Sequence, residues 1–267
     1  MRPLDQQTIL VTGATDGLGR ALAAELARAG ATVLTHGRSE ERLGGAPGAR
    51  RYVADLSSLE EVRAMAERVL ERERRLDALV NNAGIGTTLP GEGERMESRD
   101  GYELRFAVNY LSHYLLTREL LPLLERSAPA RIVNVSSAGQ MPIDFDDPML
   151  EHGYSGVRAY CQSKLAQVMF TFDLAEELKE LGVTANCLHP ATYMPTKMVF
   201  AARGGSGAAS TLEQGTQATL RLVADESLDG VSGRYFSGAG EARADEQAYD
   251  PAARARLREL SERLIRP

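Results

Sequence analysis

A tyrosine and a lysine four residues apart, Tyr160 and Lys164, are well spaced for proton transfer. In a helix two such side chains project from one face, about one turn apart. A phenol has a pKa of about 10 and exchanges protons poorly at neutral pH, but a neighbouring ammonium group lowers that pKa by favouring the phenolate. The pair therefore predicts a general acid or base, although a Y-x-x-x-K spacing also arises by chance on protein surfaces.

A glycine-rich turn near the N-terminus is suited to binding phosphate. Gly13, Gly17 and Gly19 follow a β-branched run and open a segment with apolar residues at helical spacing. Glycines let the backbone approach a pyrophosphate, whose charge is stabilised by the free amides and the dipole at a helix N-terminus. The glycines could instead only close a tight turn. Their spacing, G-x-x-x-G-x-G, differs from the dinucleotide fingerprint G-x-G-x-x-G.

The elements that must position these groups alternate between strand and helix. Strands are predicted over residues 8–12, 32–36, 51–54, 76–80, 131–135, 183–188 and 234–236, and helices over 18–29, 59–70, 102–124 and 160–181. Because the strands are nearly all apolar, we expect a parallel sheet covered on both faces, which is an α/β, doubly wound, Rossmann-type fold. We expect a single domain over 1–267, with a dinucleotide-binding half over about 1–135 and a catalytic and substrate-loop half over about 136–267.

Composition narrows the class of protein. The 267 residues carry a net charge of −6 with both signs interleaved, so nucleic acid is not an expected partner. The sequence contains no long apolar window and no apolar core of a signal peptide near its start, which predicts a soluble, cytoplasmic protein without membrane contact. Cys161 and Cys187 lack metal-ligand spacing, and the acids Asp144, Asp146 and Asp147 lack further ligands, so no metal site is expected.

Motifs along the chain resemble those of the short-chain dehydrogenase/reductase family. They are the glycine turn, Asn81-Asn82-Ala83-Gly84 after the fourth strand, and Tyr160-Cys161-Gln162-Ser163-Lys164, in that order. The segment around Tyr160 and Leu188-His189-Pro190 look most like the retinol-dehydrogenase-like branch and its soluble bacterial relatives. Members of that branch oxidise or reduce lipophilic alcohols and carbonyls.

The resemblance implies four catalytic residues: Asn109, Ser137, Tyr160 and Lys164. Ser137 would hydrogen-bond the substrate oxygen, whereas Ser136 beside it would be structural. Asn109 lies in an apolar helical pattern and would hold a water that relays protons with Lys164. A core asparagine bonded to backbone is the alternative, compatible with that role.

The resemblance also implies the cofactor-binding residues, with Asp55 bonding the adenine and the segment 82–84 lining the ribose. They are Gly13, Asp16, Gly17, Leu18, Gly19, Gly37, Arg38, Asp55, Leu56, Asn82, Ala83, Gly84, Tyr160, Lys164, Pro190 and Thr192. No acid follows the second strand to hold a ribose 2′-OH, and Arg38 could pair with a 2′-phosphate, which favours NADP(H) over NAD(H). Arg38 could equally be a solvated surface charge.

The chain departs from the family after the sixth strand, where Ala191 stands in place of the usual glycine. Alanine indicates a backbone without positive φ and a different loop path. The residues that follow look like a lid with an apolar inner face, or else an ordinary surface loop, and the predicted substrate pocket comprises Met141, Met194, Met198 and Phe200. His189 is expected to pack or bond backbone, and His36, His113 and His152 carry no functional signal.

These features predict an NADP(H)-dependent oxidoreductase for a lipophilic or aromatic carbonyl or secondary alcohol. A non-catalytic dinucleotide sensor or scaffold is the alternative, but it would tolerate damage to the four catalytic positions, all of which are intact. Nucleotide-sugar epimerase or dehydratase chemistry usually comes with a longer substrate domain after the sixth strand. A homodimer or homotetramer is expected to pair through the helices predicted over 102–124 and 160–181.

Overall fold

A mostly parallel eight-stranded sheet forms the centre of the molecule. The computed structural model describes residues 1–88, 94–198 and 209–266. The strands are β1 (Thr8–Val11), β2 (Thr32–Gly37), β3 (Arg50–Val53), β4 (Ala78–Asn81), β5 (Ala130–Val135), β6 (Val183–His189), β7 (Tyr235–Ser237) and β8 (Gly240–Glu241). They lie in the order β3-β2-β1-β4-β5-β6-β7-β8, and β8 alone runs antiparallel to its neighbour. The order reverses between β1 and β4, which confirms the doubly wound α/β fold.

Helices cover both faces of this sheet. They are α1 (Gly17–Arg28), α2 (Glu40–Leu43), α3 (Leu59–Arg72), α4 (Ser112–Arg126), α5 (Gly156–Glu177), α6 (Leu212–Ala224) and α7 (Pro251–Leu264). Successive strand residues point to opposite faces. Ile9 and Val11 pack with α1 and α6, whereas Leu10 packs with α3, α4, α5 and α7. Within the described ranges, no helix is long and apolar enough to cross a membrane.

The predicted helix over 102–124 begins later than its apolar pattern indicates. Glu103 forms an isolated β-bridge with Glu97, and its carboxylate accepts the amide hydrogen of Phe106 at 2.7 Å. A π-helical segment, Phe106–Leu111, follows before regular α4 starts. Such wide turns are rare and frequently occur at functional sites.

Helix α5 is buried around almost its whole circumference. Its outer side is covered by α7, where Arg254 pairs with Asp173 and Glu176, and the Phe172 ring packs on Tyr249 with centroids 5.3 Å apart. A helix that is buried on all sides has little surface left to pair with a second copy. The expectation that copies of the chain pair through the helices over 102–124 and 160–181 stays a prediction, and little of α5 is exposed within one chain.

Candidate active site

One cleft at the carboxyl edge of the sheet contains almost all of the predicted site residues. Its volume is about 790 Å³, and it runs from the loop after β2, past the glycine turn, to Tyr160 and the loop after β6. The carboxyl edge at a topological switch point is where open α/β sheets bind their ligands. All predicted cofactor residues line this cleft, as do Ser137, Met194 and Met198.

The glycine turn is too crowded for larger residues. Gly13 has φ +66°, and a Cβ there would lie 2.8 Å from the Cα of Ala83. A Cβ on Gly19 would lie 2.4 Å from both the side chain of Asn82 and the carbonyl of Gly13. The backbone after β1 thus lies against the loop after β4, and α1 begins in the cleft wall.

Asp16 caps this helix, since its carboxylate accepts the amide hydrogen of Gly17 at 2.8 Å. Lys197, from the loop after β6, contacts the same carboxylate at 2.7 Å, and their hydrogen bond lowers the pKa of Asp16. This ion pair connects the two sides of the cleft.

Thr12 and Asn82 join the ends of β1 and β4. The hydroxyl of Thr12 accepts the amide hydrogens of Asn82 and Ala83 at 2.8 and 3.0 Å. The side-chain amide of Asn82 donates to the Thr12 carbonyl at 2.8 Å. Asn82 was expected to line a ribose; it lies on the cleft wall, and its side chain also holds the glycine turn in place.

The other end of the cleft carries two arginines. Arg38 follows β2 with an exposed side chain, and Arg42, on α2, lines the same wall. Asp55 lies beside them, with its carboxylate accepting the amide hydrogen of Ser57 at 3.0 Å and lying 3.7 Å from Arg99. Sequence reasoning missed Arg42. Its position four residues after Arg38, on the short helix α2, could have indicated that it belongs to the same site.

Ser137 and Tyr160 meet at the opposite end of the cleft. The Ser137 side chain acts on the Tyr160 phenol, and both residues line the cleft. The Ser137 oxygen also accepts the amide hydrogen of Gly139 at 3.1 Å. Burial raises the pKa of Tyr160, while the bond from Ser137 acts in the opposite direction. Ser136 instead donates to the Lys164 carbonyl at 2.8 Å, a structural contact.

Lys164 is buried beside this pair. Its Nζ lies 5.8 Å from the centre of the Tyr160 ring and donates to the Val135 carbonyl at 3.0 Å and to Oε1 of Gln167 at 2.9 Å. Burial lowers the pKa of Lys164 to about 7. Desolvation disfavours the charged form of both groups, and the expected lowering of the Tyr160 pKa by Lys164 stays a prediction.

Asn109 lies behind the cleft wall, in the π-helical segment. Its Oδ1 accepts the Ile85 amide hydrogen at 2.8 Å, and its Nδ2 donates to the Ile85 carbonyl at 3.1 Å and to the Ser163 hydroxyl at 3.0 Å. A Cβ on Gly84 would lie 3.2 Å from Oδ1 of Asn109 and 3.6 Å from Nζ of Lys164. The side chain of Asn109 thus holds the loop after β4 against the helix that carries Lys164.

The loop after β6 differs from the family pattern in the way it turns. Positive φ occurs at Tyr193, at +50°, rather than at Ala191. His189 contacts the Thr192 hydroxyl at 3.0 Å, and both line the cleft. Met194 packs against Gly215, where a Cβ would lie 2.2 Å from its sulfur, and Met198 packs on Gly86.

Two predicted pocket residues are not found on the cleft wall. Met141 is 41% exposed and does not line the cleft. Its neighbours turn toward the C-terminal part of the chain, because Gln140 accepts the Asp245 amide hydrogen and Ile143 bonds Gln247 through both backbone groups. The assignment of Met141 to the substrate pocket stays a prediction, which the lining of this cleft does not support. Phe200, like the glycine-rich part of the predicted lid, lies outside the described residues.

The residues present fit a dinucleotide. A continuous cleft joins a crowded glycine turn at a helix N-terminus, two arginines at one end, and a tyrosine, serine and lysine at the other. Such a combination defines the class of Rossmann-type enzymes that bind a nicotinamide dinucleotide.

Comparison with known proteins gives the family. Residues 7–204 match the model of the short chain dehydrogenase family. Human retinol dehydrogenase 14 is 37% identical over 97% of this chain and 86% of its own length. The crystal structure of an uncharacterized protein from Mycobacterium paratuberculosis has a TM-score of 0.77 at 30% identity, over 97% of this chain and 93% of that one. A short chain dehydrogenase from Shigella flexneri complexed with NADP has a TM-score of 0.70 at 28% identity, over 88% and 98% of the two chains.

The chain therefore belongs to the short-chain dehydrogenase/reductase family, and its relatives include retinol dehydrogenases. It is an NAD(P)-dependent oxidoreductase by family. The resemblance stated from the motifs is confirmed.

Proposed function

We propose that this protein is an NADP(H)-dependent oxidoreductase that interconverts a lipophilic or aromatic carbonyl compound and its secondary alcohol. The observation that carries the proposal is the contact between Ser137 and Tyr160 on the wall of the cleft, with Lys164 buried beside them. A bound nicotinamide dinucleotide supplies hydride transfer to or from carbon. The protein must then bind the substrate oxygen and move one proton.

Tyr160 is the group that moves this proton. Because burial raises the pKa of Tyr160, the phenol stays protonated at neutral pH and is suited to donate to the oxygen of a carbonyl that is being reduced. Ser137 acts on the same phenol. A substrate oxygen that accepts hydrogen bonds from both hydroxyls would therefore be oriented by two donors. Lys164 would stabilise the phenolate that remains and contact the ribose.

The cofactor preference is supported by the charge at the far end of the cleft. Arg38 and Arg42 both line it, and arginine binds phosphate through a planar fork of donors. The complex of the Shigella flexneri relative with NADP agrees with this preference. Arg38 and Arg42 are thus proposed to hold a 2′-phosphate.

The substrate class is supported by the apolar wall between Tyr160 and the loop after β6. Leu104, Val108, Met194 and Met198 line it, and methionine adapts to ligands of irregular shape. A lipophilic substrate also agrees with the name of the human relative, a retinol dehydrogenase. The pairing of copies of the chain and a cytoplasmic location both stay predictions from the sequence.

The test is NADPH consumption with a panel of aromatic and aliphatic ketones and aldehydes, followed by the matching alcohols with NADP. NADH and the Tyr160→Phe variant are assayed in parallel. Turnover that requires both NADPH and Tyr160 supports the proposal. NADPH binding without turnover in either direction would favour a non-catalytic dinucleotide sensor.

A further inference from the structure

His36 makes two directed contacts between the glycine turn and the segment after β3. It lies near the end of β2, is 1% exposed, and borders the cleft. The amide of Gly13 donates to its Nδ1 at 3.2 Å, and its Nε2 lies 3.0 Å from the Ala54 carbonyl. Its own carbonyl accepts the amide hydrogen of Ala14 at 2.9 Å. One residue therefore bonds two consecutive amides of the turn.

These contacts require one form of the imidazole ring. A backbone amide can only donate and a carbonyl can only accept, so Nδ1 must carry the lone pair and Nε2 the hydrogen. Protonation would place an N–H of the ring against the N–H of Gly13. Burial lowers the pKa of His36 to about 4, against a smaller opposite effect of the Asp55 carboxylate. The neighbouring imidazole of His113 is also kept neutral by burial, with a pKa of about 3.

The turn that His36 holds has little other freedom. On its other side Gly13 lies against Ala83, so its peptide is confined between the loop after β4 and the imidazole ring. The direction of this peptide determines where the following amides at the start of α1 point. Ala54, which receives the second bond, directly precedes Asp55, on the cleft wall at the arginine end.

We propose that His36 is a positioning residue of the dinucleotide site, where its neutral ring sets the glycine turn relative to the Ala54–Asp55 segment. The inference rests on the proposed function only in requiring that a nicotinamide dinucleotide binds in this cleft. Loss of the ring should weaken binding of the dinucleotide, while kcat at saturating dinucleotide changes little.

The chain allows the two ring contacts to be tested separately. In His36→Asn the side-chain oxygen can replace Nδ1 as the acceptor for Gly13, but nothing reaches Ala54. In His36→Gln the side-chain NH₂ can replace Nε2 as the donor to Ala54, and His36→Leu keeps neither contact. His152→Leu is the control, because the side chain of His152 is 90% exposed and does not line the cleft.

The measurement is the Kd of NADPH by fluorescence titration at neutral pH, with melting temperature recorded for each variant. We expect His36→Leu to raise Kd about tenfold, the equivalent of one buried hydrogen bond. His36→Asn should raise it least, and the control should leave it unchanged. On acidification toward about pH 4, where His36 becomes protonated, the Kd of the wild type should rise more than that of His36→Asn, since the asparagine cannot be protonated.

Equal Kd values for the wild type and His36→Leu would overturn the inference. If His36→Leu does not fold, the other two variants decide, and equal binding by His36→Asn and His36→Gln would overturn it as well. A wild-type protein that binds no nicotinamide dinucleotide would instead refute the proposed function, so the two failures are distinguishable.

Discussion

The hydroxyl of Ser137 acts on the phenol of Tyr160, although Tyr160 lies on α5 and Ser137 lies in the loop directly after β5. Both β5 and α5 are buried in the protein interior, so Tyr160 is carried by a buried helix and Ser137 lies two residues beyond a buried strand. A substrate oxygen that joins them meets donors already close together, which lowers the entropic cost of orientation.

Tyr160→Phe should reduce kcat by a factor of about 10² to 10⁴, because it removes the proposed proton donor without changing the shape of the ring. Ser137→Ala should also reduce kcat, by a smaller factor, since one oxygen ligand remains. Steady-state rates with NADPH and the best ketone of the panel measure both effects. Tyr249→Phe is the matched control, because its hydroxyl bonds the Ala244 amide away from the cleft. A Tyr160→Phe enzyme that keeps most of its kcat would contradict the assignment.

The two directions of the reaction should respond differently to pH. Burial raises the pKa of Tyr160, so the phenol required for reduction persists through neutral pH, whereas the phenolate required for oxidation is scarce. Ionisation of the phenol should therefore not affect reduction over about pH 6 to 8, where the rate declines only as Lys164 loses its proton near pH 7. Oxidation should instead rise with pH, by up to about tenfold per unit. The measurement is kcat in each direction across this range. A flat profile for oxidation would indicate a different base or a phenol already ionised.

Gln167 should matter for catalysis through Lys164. Among the described residues, Lys164 donates hydrogen bonds to the Val135 carbonyl and to Oε1 of Gln167, and Gln167→Leu removes the second of them. The pKa of Lys164, about 7, should then fall further, so less of the ammonium is present at neutral pH. We expect kcat at about pH 7 to drop about tenfold and to recover partly at lower pH, where Lys164 is protonated again.

The profile of kcat against pH at saturating NADPH measures this effect. Gln167→Glu is the matched variant, because it keeps an acceptor at the same distance and should hold the lysine protonated to higher pH. A defect of Gln167→Leu that does not vary with pH would indicate a packing effect rather than an effect on Lys164.

Arg38→Asp should reverse the cofactor preference. It removes a cation at the proposed 2′-phosphate site and adds a carboxylate that suits a ribose hydroxyl. The Kd of NADPH should rise by about tenfold or more, while that of NADH falls or stays the same. Fluorescence titrations with both dinucleotides measure this, with Arg126→Asp at the end of α4 as a charge-matched control. An unchanged ratio of the two Kd values would show that Arg38 is a solvated surface charge.

Arg254 should stabilise the fold by joining α7 to α5. Its guanidinium contacts Asp173 at 3.3 Å and Glu176 at 2.8 Å and is largely buried. Arg254→Met should lower the free energy of unfolding by about 1 to 3 kcal/mol, because it removes the hydrogen bonds of a largely buried guanidinium, including the one to the Ala248 carbonyl. Arg256→Met, which loses the exposed contacts with Asp146 and with the Phe145 ring, should cost less than about 1 kcal/mol. Denaturant titrations measure both, and equal losses would contradict the assignment.

Much of the fold could be predicted from the sequence, because the apolar patterns of the buried strands and of the helices packed on them are strong. All seven predicted strands are found, shifted by at most two residues at either end. Helices α6 and α7 were not assigned, although each has a clear start signal: a capping box at Thr211 and Gln214, and Asp250 before Pro251. Their apolar stripes are narrow and interrupted by charged residues, so periodicity alone did not reveal them.

Site residues that belong to a recognisable motif could be predicted from the sequence. Residues whose role depends on their contacts in the folded protein could not. Tyr160, Ser137, Lys164 and the glycines were named from motifs, and the structure brings them to one cleft. His36 and Gln167 carry no motif of their own, because their importance comes from which atoms they face after folding. Met141 does not line the cleft, since an apolar side chain indicates burial but not the direction in which its segment turns.

The cover that α7 provides for α5 has a consequence for the order of events during synthesis. Tyr160 and Lys164 lie on a helix whose outer side is completed by residues that leave the ribosome much later, after β6, α6 and β7. Until then Phe172 and its neighbours lack their native cover, and transiently exposed apolar surface of this kind favours aggregation and the binding of chaperones. We therefore expect α5 to reach its native packing only after α7 has been synthesised and has docked on its outer side.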